Sequence, residues 1–435
     1  MEIWAKSGNN YHHSAIEAQG SKNAALPLLV ASAFTARKSV LQRVPVELED
    51  VRTIIRSLEW FGAKLRTEAR VVSIDASSLH RTDLPSRLSS GSRYSLLFLG
   101  GLVARCGTAR IGPPGGCQFG EERSFDFHRL VLEQFGCELR QEAGLLVGHM
   151  GPQRAGEVTL PFPSVGATLQ AIIFLTASNR NGVIHNAAIE PEIITVVDFL
   201  NKSGCNISFD GPRSLCVCGY PNVGATHVVP VDRIHIATVM AYSAISRTPS
   251  TIQWGAPIDL ACLAEPFSSL GISAIADTEN LYIATDATTA QNRFDVVADV
   301  YPGFPTDAVP LIAAATIKSG RKVRFYDKVF SGRNAYLAEF LKFGANVSII
   351  SEREFVVNGV PSLTSSEVST NDIRGSTSLL LAAIQTKTLS RIKNARQIAR
   401  GYERLPCELK AKGFNVHIKE SIENVLHRQS HYIAM

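Results

Sequence analysis

Long hydrophobic runs are missing from this sequence. Apolar segments such as residues 96–99 and 102–104 are short and interrupted by glycine, whereas a membrane-spanning helix needs about 20 consecutive apolar residues. Residues 1–6 also lack the charged and apolar regions of a signal peptide. We therefore expect a cytoplasmic protein without a membrane partner.

Cysteine is sparse, and no ligand set has metal-site spacing. The eight cysteines in 435 residues do not reach the density of a disulfide scaffold, which favours a reduced protein. Cys216 and Cys218 alternate like residues on one face of a strand, and they lack a second Cys/His pair for zinc. Neither a P-loop nor a dinucleotide fingerprint is present. We expect neither a metal nor a cofactor.

Charge of one sign is not concentrated anywhere. Lys and Arg number 44 and Asp and Glu 39, a net charge of +5 that is spread along the chain. This pattern argues against a nucleic-acid partner and is compatible with a small anionic substrate. The length allows two or three domains with sizeable cores, and we expect a monomer or a weak homo-oligomer.

A helix-sized element that ends in glycine recurs six times, at intervals of 67 to 74 residues. We predict that each glycine adopts the left-handed conformation at the end of a helix and precedes an alternating strand. The glycines are Gly62, Gly136, Gly204, Gly271, Gly344 and Gly413. The chain is therefore predicted to contain six related units.

Each unit also contains a second, more apolar helix upstream of its glycine, and this helix is predicted to be buried. The six helices are predicted to begin near Lys22, Arg93, Gly166, Arg233, Thr306 and Gly375. With three or four short strands between them, the unit contains two helices and a small sheet. The pattern predicts a mixed α/β protein.

Several buried helices begin beside a cation, although a helix N-terminus favours anions by about 0.3–1 kcal/mol. Lys22, Arg93, Arg233 and Arg374 occupy such positions. If the units are related by rotation, these helix starts converge and form an anion-binding cleft. The alternative is that each cation extends outward into solvent.

Residues 115–128 form a glycine-rich segment with Cys117 near its beginning and Arg123 six residues later. Glycine at 115, 116 and 120 frees the backbone, so we expect a mobile loop. A nearby guanidinium favours the thiolate and attracts an anion to it. The alternative is a surface turn that carries a cysteine.

At these residues the chain resembles the enolpyruvyl transferases, most closely the branch that uses UDP-N-acetylglucosamine. The matching segments run in order over nearly the whole length. They are 20–27 (GSKNAALP), 102–105 (LVAR), 114–117 (PGGC), 164–168 (SVGAT), 186–188 (NAA), 190–193 (EPEI), 304–307 (FPTD), 372–374 (DIR) and 400–404 (RGYER).

The resemblance implies a two-domain, inside-out α/β barrel. Each domain would contain three βαβαββ-like repeats around a pseudo-threefold axis, and the cleft between the domains would close on substrate. One domain would cover residues 22–231, and the other would combine 1–21 with 232–435.

The resemblance also implies the reaction. The enolpyruvyl group of phosphoenolpyruvate would be transferred to the 3-hydroxyl of UDP-N-acetylglucosamine, through a tetrahedral intermediate and with release of phosphate. Cys117 would act as the acid and Asp307 as the base, while Lys22 and Arg400 would hold phosphoenolpyruvate. The implied substrate-binding residues are Asn23, Arg93, Arg123, Ser124, Phe125, Asp126, Phe127, Ser164, Val165, Gly166, Val329 and Arg374.

Four positions depart from the family pattern on the acceptor side. Phe162 replaces a usual lysine, Leu97 a usual tryptophan, and His235 and Ser331 usual glutamates. We expect Leu97 to shrink the surface over the sugar, and one extra residue after Gly120 to change the loop register. These departures leave open transfer to another uridine nucleotide, such as UMP in nucleoside-antibiotic synthesis. A third alternative is an inactive UDP-sugar-binding relative.

Overall fold

The computed structural model describes residues 1–116, 125–154, 156–255 and 258–419. Two compact units are present. The terminal unit contains Met1–Gln19 and the chain from Arg233 onward, and the central unit contains Gly20–Gly116 and the chain from 125 to Asp232. The central unit begins two residues before the predicted boundary at 22 and ends one residue after the predicted boundary at 231. The limits of the functional domains stay a prediction.

The chain opens with β1 (Glu2–Lys6) and β2 (Ser14–Glu17), which belong to the terminal unit. The described strands of the central unit are β3 (Ser39–Gln42), β4 (Lys64–Glu68), β5 (Val71–Asp75), β6 (Asp83–Leu84), β7 (Thr108–Ile111), β8 (Cys137–Glu142), β9 (Leu145–Met150), β10 (Glu157–Thr159), β11 (Gly182–His185), β12 (Asn206–Phe209), β13 (Ser214–Cys218) and β14 (Thr226–Val228). Its helices are α1 (Lys22–Ser32), α2 (Glu49–Phe61), α3 (Ser86–Ser89), α4 (Leu97–Cys106), α5 (Asp126–Gln134), α6 (Val165–Ala177) and α7 (Pro191–Lys202), with a 3₁₀ turn at Arg93–Leu96.

The terminal unit continues after Asp232. Its further described strands are β15 (Ser250–Gln253), β16 (Ile272–Ala276), β17 (Asn280–Thr285), β18 (Arg293–Ala298), β19 (Lys322–Asp327), β20 (Asn346–Ser351), β21 (Glu354–Asn358), β22 (Glu367–Val368), β23 (Ser390–Ile392) and β24 (Asn415–Lys419). Its helices are α8 (Arg233–Ser246), α9 (Ala261–Ser268), α10 (Val309–Thr316), α11 (Ala335–Lys342), α12 (Ile373–Ala383), α13 (Arg396–Ala399) and α14 (Leu405–Lys412), with a 3₁₀ turn at Thr306–Ala308.

One sheet topology is repeated six times among the described residues. The sheets of the central unit have the orders β14-β3-β5-β4, β6-β7-β9-β8 and β10-β11-β13-β12. Those of the terminal unit are β2-β15-β17-β16, β18-β19-β21-β20 and β22-β23-β1-β24. In each sheet the first pair is parallel and the other two pairs are antiparallel. The α/β class and the six related units are confirmed.

Each unit closes by pairing strands that are distant in sequence. In the central unit β14 pairs with β3, so that Thr226 lies opposite Val40. In the terminal unit β1 lies between β23 and β24 and supplies the strand that the last repeat needs. The first strand of the chain therefore belongs to the same sheet as the last described one.

The predicted buried helices are found at their predicted starts. All residues of α6 from Ala167 to Ala177 are buried, as are all residues of α12. Close packing depends on small residues: a Cβ on Gly101 would lie 2.2 Å from the ring of Phe34. The repeated glycines have φ between 77° and 105°, as predicted. No helix in the described part of the chain is long and apolar enough to span a membrane.

Candidate active-site residues

Lys22 is the first residue of α1 and is 8% exposed. The hydroxyl of Ser21 accepts the N–H of Ala24 at 3.3 Å and caps the helix. The Lys22 ammonium lies 3.8 Å from the carboxylate of Asp50, and the backbone N–H of Lys22 donates to Asp232 Oδ2 at 3.3 Å. Both carboxylates are buried. The alternative of a lysine that extends into solvent is therefore wrong.

Arg93 begins the 3₁₀ turn that leads into α4, and its side chain is half-buried. The hydroxyl of Ser92 accepts the N–H of Tyr94 at 3.4 Å, which fixes the start of the turn. The phenol of Tyr94 donates to the carbonyl of Asn23 at 3.4 Å. This contact links the segment that carries Arg93 to the start of α1, where Lys22 and Asn23 lie.

Gly115 and Gly116, the two residues before Cys117, pack closely against residues 89–93. The N–H of Gly115 donates to the carbonyl of Ser89 at 3.1 Å, and a Cβ on Gly115 would lie 1.8 Å from the carbonyl oxygen of Ser90. Gly116 has φ 126° and lies against the side chain of Arg93. Glycine is required at both positions.

Three residues assigned from the resemblance lie outside the described part of the chain. They are Cys117, Arg123 and Ser124. The loop mobility, the thiolate environment and the changed register after Gly120 stay predictions.

The residues assigned to the nucleotide gather at the starts of α5 and α6. Phe125 precedes α5, which begins with Asp126 and Phe127. The hydroxyl of Ser164 caps α6 by accepting the N–H of Ala167 at 3.4 Å. Val165 is the first residue of α6, and the next residue, Gly166, lies directly against α5, because a Cβ there would be 2.7 Å from the imidazole of His128.

In the terminal unit, Asp307 lies between two guanidinium groups. Its Oδ1 accepts from Arg333 Nη1 at 2.7 Å and its Oδ2 from Arg374 Nε at 3.2 Å. The two arginine side chains are 5% and 2% exposed, and that of Asp307 is 27% exposed. Planar guanidiniums fix a carboxylate in orientation as well as in charge. The carboxylate is thus held on its buried side and remains accessible on the other.

Asp372 reinforces this arrangement. Its Oδ2 accepts the N–H of Gly375 at 2.7 Å and caps α12, while its Oδ1 lies 3.5 Å from Arg333 Nη2. Arg374 is the second residue of the same helix and is 1% exposed. This buried arginine at a helix start is therefore accommodated by the carboxylate of Asp307 rather than by solvent.

Val329 and Arg400 lie on segments that are tied to the same region of the terminal unit. Asp327 accepts the N–H of Val329 at 2.8 Å and the hydroxyl of Thr306, the residue before Asp307. Arg400 is half-buried, and its Nη1 donates to the side-chain oxygen of Gln397 at 2.9 Å. The contact with Asp327 therefore holds the backbone at Val329, and the contact with Gln397 orients the side chain of Arg400.

Sequence reasoning missed the acidic partners and one arginine. Asp50 and Asp232 contact Lys22, and Asp372 and Arg333 support Asp307. Asp232 and Asp372 each stand one or two residues before an arginine that begins a buried helix, which is a usable signal. Asp50 and Arg333 carry no such signal.

The structure corrects one interpretation and gives side-chain partners for two of the other three departures, Ser331 and His235. Leu97 is 1% exposed and belongs to the core of the central unit, so the prediction that it shrinks a ligand surface is wrong. Ser331 donates to Glu352, and His235 contacts Glu408. Phe162 is half-buried. Among the residues that the structure describes, no cluster of three or more His, Cys, Asp or Glu could hold a metal.

Comparison with known proteins agrees with this architecture. The family model of EPSP synthase (3-phosphoshikimate 1-carboxyvinyltransferase) matches residues 7–409. UDP-N-acetylglucosamine 1-carboxyvinyltransferase of Solidesulfovibrio magneticus is 32% identical over 92% of this chain and 95% of its own length. The same-named enzyme of Lawsonia intracellularis is 31% identical over 92% of this chain and 95% of its own length.

Solved structures show the same fold. The enolpyruvyl transferase NikO from Streptomyces tendae has a TM-score of 0.85 at 20% identity, covering 96% of this chain and 98% of its own. EPSP synthase of Acinetobacter baumannii has a TM-score of 0.69 at 14% identity, covering 96% of this chain and all of its own. The six-unit α/β architecture is therefore one that these solved enolpyruvyl transferases share. The chain belongs to the EPSP synthase family and is an enolpyruvyl transferase.

Proposed function

We propose that this enzyme transfers the enolpyruvyl group of phosphoenolpyruvate to the 3-hydroxyl of UDP-N-acetylglucosamine and releases phosphate. The relatives named for that activity are 32% and 31% identical over most of the chain. The observation that carries the proposal is the carboxylate of Asp307, which is fixed by Arg333 and Arg374 yet accessible on one side. Such a group can receive the proton of a sugar hydroxyl.

The proposed reaction has two steps. In the addition, the acceptor oxygen attacks C2 of phosphoenolpyruvate, C3 gains a proton from Cys117, and Asp307 takes the hydroxyl proton. In the elimination, the C2–O bond to phosphate breaks and C3 returns a proton to the thiolate of Cys117, which restores the double bond and the thiol. The acceptor then carries the enolpyruvyl ether, and phosphate leaves.

The remaining roles follow from charge and location. Lys22, Arg123 and Arg400 would neutralise the phosphate and carboxylate of phosphoenolpyruvate, and Arg93 and Arg374 would support them. The buried carboxylate of Asp50, 3.8 Å from the Lys22 ammonium, helps to hold it in place. Asn23 would orient the acceptor.

The starts of α5 and α6 would bind the uridine nucleotide. Phe125 to Phe127 supply an aromatic and acidic segment, and Ser164 to Gly166 supply a capped helix N-terminus. Arg123, Ser124 and Val329 complete the proposed set. Phe162 lies two residues before the capping Ser164 and presents a phenyl ring where the resemblance leads us to expect a lysine.

Phe162 also favours a second candidate function, transfer to another uridine nucleotide of the UMP type. A lysine near a diphosphate contributes a charge-assisted contact worth about 1.5–3 kcal/mol. An acceptor with one phosphate has less need of that cation. This alternative keeps the same chemistry on phosphoenolpyruvate and changes only the acceptor.

Phosphate release distinguishes the two candidates. The enzyme is incubated with phosphoenolpyruvate and with UDP-N-acetylglucosamine, UDP or UMP in separate reactions. Released phosphate is measured, and the mass of the nucleotide product is determined by mass spectrometry. We expect phosphate and an enolpyruvyl adduct with UDP-N-acetylglucosamine. Activity with UMP alone would refute the first proposal and support the second.

A further inference from the structure

A buried network in the terminal unit surrounds the segment that carries Arg400. The Gln19 network consists of Gln19, His235, Thr238, Tyr402 and Glu408. The first four are at most 4% exposed, and the side chain of Glu408 is 12% exposed. Buried polar groups are costly unless they are paired, so a network of this kind has a fixed geometry.

Gln19 uses both ends of its amide on the segment after Arg400. Its Nε2 donates to the carbonyl of Gly401 at 3.0 Å, and its Oε1 accepts the N–H of Glu403 at 2.8 Å. The two contacts fix the peptide groups on either side of Tyr402. The backbone next to Arg400 is therefore held by a side chain from the beginning of the chain.

Tyr402 and Gly401 connect this segment to Arg374. The phenol of Tyr402 lies 2.8 Å from the hydroxyl of Thr238, and its ring centre lies 5.3 Å from Arg374 Cζ. A Cβ on Gly401 would lie 3.2 Å from Arg374 Nη1. The segment thus packs against the arginine that holds Asp307.

His235 anchors the network. Its Nδ1 accepts the N–H of Gln19 at 3.3 Å, and its Nε2 lies 3.0 Å from both oxygens of Glu408, in the first turn of α14. An N–H can only donate and an ionised carboxylate can only accept, so these contacts assign the tautomer with hydrogen on Nε2. A glutamate at 235 would instead face Glu408 as a like charge.

We infer that Gln19 and the His235–Glu408 pair are positioning residues for phosphoenolpyruvate binding, because they set the location of Arg400. The inference rests on the proposed role of Arg400 in holding phosphoenolpyruvate. Its consequence is selective: disturbing the network weakens phosphoenolpyruvate binding more than acceptor binding.

The first test is a matched pair of variants. Gln19→Leu removes the two hydrogen bonds to the 400–404 segment. Gln385→Leu, in the same unit, removes two equally buried hydrogen bonds to Ala314 and Leu381 on the inner helices. We expect Gln19→Leu to raise KM for phosphoenolpyruvate about tenfold, with KM for the acceptor unchanged within about twofold. Gln385→Leu should leave both KM values within about twofold.

An equal rise of KM for phosphoenolpyruvate in both variants, or no rise in Gln19→Leu, would overturn the inference. The KM values are measured with whichever nucleotide supports phosphate release by the unmodified enzyme, so a wrong acceptor assignment does not affect the result. Arg400→Gln is measured alongside. If it leaves KM for phosphoenolpyruvate unchanged, the role of Arg400 is wrong, and the inference falls with it.

The second test uses charge exchange in the buried pair. His235→Glu should raise KM for phosphoenolpyruvate about tenfold, because it places two carboxylates together in a buried site. Adding Glu408→Lys to His235→Glu should restore KM to within about threefold of the starting value. If the double variant binds phosphoenolpyruvate no better than His235→Glu alone, the pair is not a positioning device.

Discussion

The two units place opposite charge arrangements at equivalent points of the same repeat. In the central unit, the ammonium of Lys22, at the start of an inner helix, lies 3.8 Å from the buried carboxylate of Asp50, and the buried Asp232 accepts the backbone N–H of Lys22. In the terminal unit, one carboxylate, Asp307, lies between Arg333 and Arg374, and Asp307 and Arg374 are at inner-helix starts. The backbone unit is the same, but the sign of the central group is reversed.

This difference shows which features of these charged groups come from the repeated fold and which come from individual residues. The repeat provides a buried helix start: Ser21 caps the one that carries Lys22 and Asp372 the one that carries Arg374, whereas the turn that carries Asp307 has no side-chain cap. The charge at that turn is then set by partners from distant segments. One fold can therefore hold a cation for an anionic substrate and a carboxylate for a proton.

The comparison can be tested by removing one proposed catalytic group at a time, and we expect the largest effect from removing the proposed acid, Cys117. Cys117→Ser should abolish covalent labelling by fosfomycin, an epoxide analogue of phosphoenolpyruvate, because a hydroxyl does not open the ring at neutral pH. Labelling is measured by intact mass. Cys106 and Cys407 are exposed thiols, so Cys106→Ser is the control and should label fully.

Background labelling should not come from Cys137 or Cys205. Burial raises the pKa of each thiol to about 12, so neither is a thiolate near neutral pH. Full labelling of Cys117→Ser would remove Cys117 from its proposed role.

Removing the proposed base should have the complementary effect. Asp307→Asn keeps the shape but cannot accept a proton, so we expect kcat to fall about 10²- to 10⁴-fold. Fosfomycin labelling should persist, because the thiol is intact. Phosphate release and labelling are measured on the same preparation. Turnover within a few-fold of the original would show that the base lies elsewhere.

Local features of this fold could be predicted from the sequence. The six glycines and the six buried helices depend on residues within a few positions of each other, and the structure has them where the sequence indicates. Strand closure by β1 and β14 could not be predicted in this way, because it joins residues at opposite ends of a unit.

The site was predicted only in part for the same reason. Asp50 is 28 positions from Lys22, and Arg333 is 26 positions from Asp307; no periodic pattern connects either pair. The interpretation of Leu97 failed because one position in an apolar helix can face either a ligand or the core, and only packing decides between them. The sequence showed that Lys22 and Asp307 carry charges, but it did not show that Asp50 and Arg333 are their partners.

The contact between Lys22 and Asp50 is expected to stabilise the fold as well as to serve the proposed function. Asp50→Asn removes a buried partner of the ammonium, and we expect it to lower the free energy of unfolding by about 2–4 kcal/mol. Glu47→Gln is the matched control: its ion pair with Arg52 is mostly exposed and should contribute less than about 1 kcal/mol. Urea unfolding of both variants gives the comparison. Equal, small losses would mean that the Asp50 contact is as weak as a surface pair.

The terminal unit also buries a lysine, Lys412. We expect its effect on the free energy of unfolding to be smaller than that of the Lys22–Asp50 contact. Lys412 is 0% exposed, and its ammonium donates to the carbonyls of Thr248 and Pro249 and to the hydroxyl of Ser250. Burial lowers the pKa of Lys412 to about 8. Unlike Lys22, its described partners are neutral oxygens.

The sign of the pH effect follows from this pKa. Between about pH 8 and 10.5 the unfolded chain holds the Lys412 proton more tightly than the folded chain, so folding is favoured as pH rises. Relative to Lys412→Met, the free energy of unfolding should increase by about 1–2 kcal/mol from pH 7.5 to 9.5. Parallel stability curves for the two proteins would show that Lys412 does not change its proton affinity on folding. The contrast between the units would then rest on Asp307 alone.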